Sequence, residues 1–129
     1  MANQCSELGH HIEEIEHPVD HSPVADAASR IISTHIYQSV HEQFKNFESD
    51  LDASQLELGT KIMAKRGRKV SADEYVRARD TMTLAEITMQ KFHNKYDILL
   101  SPVLTSPPVK LGWLNMDCHN TKEYAERFT

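Results

Sequence analysis

The sequence predicts an α/β fold, mostly helical, with one or two short strands from an incomplete mixed sheet. Three observations carry that expectation. A long amphipathic segment ends near Phe92 and leads through Asp97 into the apolar run Ile98-Leu99-Leu100, which stops at Ser101-Pro102. A helix that feeds a short apolar strand ending at proline is an α/β arrangement. The run has almost no polar alternation, as in a strand covered on both faces. A second short segment, residues 10–19 (HHIEEIEHPV), reads as a strand or edge strand ending at Pro18. Strands need neighbours, and the rest of the chain offers few.

Taken in order, the chain opens on polar residues that end in Ser6-Glu7-Leu8-Gly9. This is the pattern of a last helical turn with glycine in the left-handed position after it. The segment 10–19 follows, with Ile12, Ile15 and Val19 as its apolar members and Glu13, Glu14 and Glu16 toward solvent. Residues 20–23 form a turn. Ser22 can cap a helix, and Pro23 suits a first helical position. A helix over 24–47 is then expected. Ala28, Ile31, Ile32, His35, Ile36, Val40 and Phe44 recur at spacings of three and four, which makes one apolar stripe.

Residues 46–54 are a polar break. A short helix over 55–66 follows, with Leu56, Ile62 and Met63 as buried candidates, weakened by Gly59 and ended by Gly67. Ser71-Ala-Asp-Glu74 is a capping box, in which serine and glutamate satisfy each other's backbone N–H groups. The helix it opens places Tyr75, Ala78, Met82, Ala85, Met89 and Phe92 on one seam. The small Ala78 and Ala85 argue against a coiled coil and for close approach to a sheet or another helix. Residues 101–112 are proline-rich and extended. Trp113 and Leu114 follow, then Asp117, Cys118 and His119, and residues 120–128 could begin another helix.

The composition narrows the function classes. At 129 residues the chain has the length of one small domain. A net charge of -5 without a basic face argues against nucleic-acid binding. The cationic group Lys61, Lys65, Arg66, Arg68 and Lys69 reads as the solvated end of a helix. No run approaches the ~20 apolar residues of a membrane span, and no secretory h-region opens the chain. A cytoplasmic location with Cys5 and Cys118 reduced is therefore expected.

No catalytic constellation stands out. His10, His11, His17 and His21 cluster in sequence, and His17 and His21 have a metal-ligand spacing. Pro18 lies between them, however, so they cannot share a helical face, and no metal or other cofactor is expected. Adjacent Cys118 and His119 point to opposite faces of a strand, a poor arrangement for a thiolate–imidazole pair. Ser101 and Ser106 sit in no nucleophile elbow. With only four glycines, the chain has no phosphate-binding loop.

Four stretches in order resemble the amidase signature family of amide hydrolases. They are LGHHIEEIEHPVD (residues 8–20), the helix with Ser71-Ala-Asp-Glu-Tyr75 and Ala78-Arg79, KYDILLSPVLTSPPVKLG (residues 95–112), and EYAERFT (residues 123–129). The tract before Gly112 looks most like the branch that includes the 6-aminohexanoate cyclic dimer hydrolases. The resemblance implies a single partial domain over 1–129, from the C-terminal half and truncated at both ends. In that family a Ser–cis-Ser–Lys triad cleaves the amide, and backbone N–H groups stabilise the oxyanion. None of those motifs occurs here, so no catalytic residue carries over.

What carries over is a pocket wall, Pro102, Val103, Leu104 and Trp113, which the resemblance places near the substrate cleft. It also implies the missing catalytic half as partner, or self-association through exposed strand edges, with a small amide bound only by a complete enzyme. The alternative function is a non-enzymatic helical interaction module that binds a partner along Tyr75, Met82, Met89 and Phe92.

Overall fold

The computed structural model describes residues 1–43, 56–104, 106–114, 120, 122, 123 and 127. Among the described residues four helices are delimited, in order: α1 (Ala2–Glu7), α2 (His21–Gln43), α3 (Leu58–Gly67) and α4 (Ala72–His93). Among the described residues there is no β-strand, so the α/β expectation is corrected to an all-helical fold. Residues 10–17 and 98–102 are irregular. The reason is the missing neighbour. A strand is stable only when its N–H and C=O groups find a ladder and its faces find cover. Ile98 is 79% exposed and has neither.

Local signals hold well at the helix ends. Gly9 takes φ +93°, and the amides of Gly9 and His10 donate to the Ser6 and Cys5 carbonyls at 3.0 and 3.1 Å. This double closure is the Schellman pattern that a glycine after a last turn provides. At the start of α4, the Glu74 amide donates to Ser71 Oγ at 3.2 Å. The Ser71 amide donates to Glu74 Oε2 at 2.9 Å, which completes the capping box. The cap of α2 moves by two residues. The Ser22 amide donates to Asp20 Oδ1 at 3.0 Å, so Asp20 and not Ser22 caps this helix. Pro23 then falls in the first turn, where its missing N–H costs no helical bond. The expected end of α2, with Phe44, lies outside the described residues.

Helix α2 is the centre of the fold, with α3 and α4 both packed on it. The α2–α3 crossing is made by the smallest residues available. Ser33 and Ala64 are fully buried, and Gly59 and Gly67 are buried beside them. A Cβ on Gly67 would lie 1.9 Å from the Ser33 carbonyl oxygen and 2.4 Å from its carbon. Gly67 is thus the close-contact point of two backbones. Its φ is not positive, so it does not end α3 through a left-handed turn as the sequence suggested. The buried Ser33 hydroxyl donates to the Arg30 carbonyl at 3.0 Å, so it costs no unpaired polar group.

The buried face of α2 coincides with the expected stripe in part. Val40 of the stripe is buried and Ala28, Ile31 and Ile36 are half-buried, whereas Ile32 and His35 are exposed and Ala27 and Ser33 are buried outside the stripe. On α4 the expected seam is real but thinly covered. Ala78 and Phe92 are buried, Tyr75, Ala85 and Met89 are half-buried, and Met82 is exposed. Phe92 stacks on Tyr96 with centroids 4.8 Å apart, which carries the packing one turn past the helix. The buried apolar set is otherwise small: Ala27, Val40, Ala64 and Ala78.

Candidate functional site

The four residues singled out as a pocket wall, Pro102, Val103, Leu104 and Trp113, are all exposed. Pro102, Val103 and Leu104 lie on the irregular segment after α4, all exposed, with Val103 95% exposed. Trp113 is a separate contact. The Arg127 guanidinium lies 4.5 Å over its ring and donates to its carbonyl oxygen at 3.1 Å. This arrangement clamps the indole by a cation–π contact and a hydrogen bond.

The polar cluster that the fold does assemble lies between α2 and α4, beside an open groove of 310 Å³. Arg30 is its hub. Its Nε meets Asp26 Oδ2 at 3.0 Å, and its Nη1 meets Glu74 Oε1 at 2.9 Å. Arg66 Nη2 reaches the other oxygen of Asp26 at 3.4 Å. Glu74 also accepts from the Ser71 amide and hydroxyl. The chain Arg66–Asp26–Arg30–Glu74–Ser71 therefore ties α3, α2 and α4 together. Hydrogen bonding from Ser71 and the nearby Arg30 hold the Glu74 carboxyl below its usual range. The Asp26 carboxylate, then Glu74, raise the Arg30 guanidinium further.

The one hydroxyl of this cluster, Ser71 Oγ, is engaged in the capping box, donating to Glu74 Oε2 at 3.0 Å. The carboxylates of Asp26 and Glu74 are committed to arginines, and Arg77 at the groove edge pairs with Asp73 at 2.9 Å. No buried side-chain nitrogen or oxygen among the described residues lacks a partner. Charges paired in this way hold helices together. Nearby, the Tyr75 hydroxyl and His35 Nε2 lie 3.3 Å apart, linking α4 to α2.

The histidines behave differently from the expectation in one respect. His17 and His21 do not share a helix, yet the turn at Pro18 and Val19 brings their ring centroids to 4.1 Å. His17 Nδ1 lies 2.8 Å from the Val19 carbonyl oxygen, which fixes the ring. The signal for this was the turn itself, since a proline two-step can fold a side chain back as well as separate two. No three His, Cys, Asp or Glu side chains group as a metal site among the described residues. The adjacent pair Cys118 and His119 lies outside the described residues. Among the described residues no helix is long and apolar enough to cross a membrane.

Compared with protein-family models, with curated proteins and with solved structures, the chain gives no match in any of the three.

Proposed function

We propose that this chain is a non-catalytic helical part of an amide hydrolase of the amidase signature type. Its role is to cover a catalytic half supplied by another polypeptide. The single observation that carries this reading is the apolar surface left bare. Ile98, Leu100, Val103, Leu104 and Leu111 all project from the segment after α4 into solvent. Exposed apolar patches of that kind mark contact with another protein body. The order of the four family-like stretches supplies the identity of that body. In the complete enzyme Pro102, Val103, Leu104 and Trp113 line one wall of the cleft for a small amide, in the cytoplasm.

The purified chain should not hydrolyse aryl amides. Turnover that serine-directed inhibitors abolish would reveal a nucleophile in this chain and overturn the non-catalytic reading. Turnover that survives those inhibitors would overturn the amidase assignment.

A second reading, a stand-alone helical interaction module, is favoured by the cross-linking of α2, α3 and α4 through Arg30 and Gly67. Thermal melting separates the two. A sharp cooperative transition of a compact species favours the module. A broad transition with aggregation favours a cover stripped from its body.

A further inference from the structure

Helix α4 carries apolar residues on two opposite faces, and its packing on α2 uses only one. The other face shows Val76, Leu84 and Ile87, at 56%, 64% and 41% exposure. At 100° per residue these three fall within about 80° of arc, roughly opposite Ala78 and Met82. Asp80 and Lys91 lie in the same arc, both exposed, and neither forms an ion pair among the described residues. A helix apolar on both sides is built to be sandwiched.

We infer that α4 pairs with α4 of a second copy of this chain, antiparallel and about a two-fold axis. The axis passes between positions 85 and 86. The argument is charge and shape complementarity at one register. Residues 84 and 87 are centred on that point, and so are 80 and 91. In the pair, Leu84 faces Ile87 of the second copy, and Ile87 faces Leu84. Asp80 faces Lys91 on one side of the axis, and Lys91 faces Asp80 on the other. A parallel pair would set Asp80 against Asp80 and Lys91 against Lys91, which is repulsive. An isologous interface requires this kind of self-complementarity, and four positions supply it here. The pairing uses a face of α4 distinct from the segment after it, and it stands whether or not the amidase reading does.

Sedimentation velocity of the full chain across a wide concentration range tests the pairing. A concentration-dependent monomer–dimer equilibrium is expected. Each single swap, Asp80→Lys or Lys91→Asp, places like charges together twice and should weaken the dimer about tenfold. The double swap, Asp80→Lys with Lys91→Asp, should restore it. Leu84→Asp should leave monomer with unchanged helical circular dichroism. A chain that stays monomeric throughout overturns the pairing and leaves this face to a different protein. A dimer indifferent to both single swaps overturns it too, because another surface must then be responsible.

Discussion

Residues 21–43 with 56–93, and residues 94–104 with 106–114, are both rich in apolar side chains, yet they end in opposite states. In the first region a few small residues, Ser33, Ala64, Gly67 and Ala78, let three helices come close enough to share charges as well as cover. In the second, larger side chains such as Leu104 and Leu111 stay in solvent. The difference is not hydrophobicity. It is whether the backbone satisfies itself. A helix closes its own hydrogen bonds and then needs one face covered. An extended apolar segment needs a partner for its backbone and for two faces. The thin core of the helical region and the bare tail are two results of one rule.

The most direct way to break the helical region is Gly67→Ala. On an isolated helix this change would stabilise by about 1 kcal/mol. Here the added carbon meets the Ser33 carbonyl at 1.9 Å, and the atoms it meets are backbone, which cannot swing aside. Helix α3 must then move off α2, and we expect a net loss of about 3 kcal/mol. Urea denaturation measures it, with hydrogen exchange in residues 58–67 as the local readout. A more stable variant would show that the helices do not cross as closely as described.

A smaller effect is expected at the start of α4. Ser71→Ala removes the side-chain half of the capping box and should cost about 1 kcal/mol. Glu74 adds a pH dependence. Its carboxyl is held low, first by the Ser71 amide and then by the Ser71 hydroxyl and Arg30. A carboxylate with a lowered folded value contributes stability that is complete above its unfolded value. That stability is lost as pH falls through the folded one. The wild-type protein should therefore lose stability below the ordinary Glu value of 4.5, and Glu74→Gln should lose less over the same range. Equal acid sensitivity in the two proteins would remove Glu74 from the network.

Much of the helical region was legible because its signals are local. The capping box spans four residues, and Gly9 follows its helix directly, so neither depends on tertiary structure. What sequence could not separate was the two uses of glycine. Gly67 after a cationic run reads as a helix stop, but it is a crossing point whose partner, Ser33, lies 34 positions away. The Arg30 network was missed for a similar reason, since Asp26, Glu74 and Arg66 meet only once α2, α3 and α4 pack. The strand expectation failed on a different ambiguity. Ile98-Leu99-Leu100 has the pattern of a buried strand, and a segment awaiting a partner has the same pattern. The proposed cleft residues shared that ambiguity. Pro102, Val103 and Leu104, read as a pocket wall, are exposed, as Trp113 is.

The least disruptive test concerns where the two regions touch. Lys95 lies just after α4. Its ammonium donates to the Tyr96 hydroxyl at 2.6 Å and reaches Glu13 Oε1 at 3.4 Å, which pins the segment 10–17 against the helix end. Tyr96 in turn stacks on the buried Phe92, so this contact joins the irregular segment 10–17 to the core. Tyr96 and then Lys95 hold the Glu13 carboxyl low, and Tyr96 and then Glu13 hold the Lys95 ammonium high. Both groups are solvent-exposed, so screening keeps the pair weak and global melting of Lys95→Ala should match wild type. The change should be local. Amide exchange across residues 10–17 should quicken. The Tyr96 ring resonances should also stop following the protonation of Glu13 as pH falls below its ordinary value. If those resonances ignore acid in the wild-type protein as well, Glu13 is not at the ring. The segment 10–17 would then be as free of the helices as the segment after Asp97.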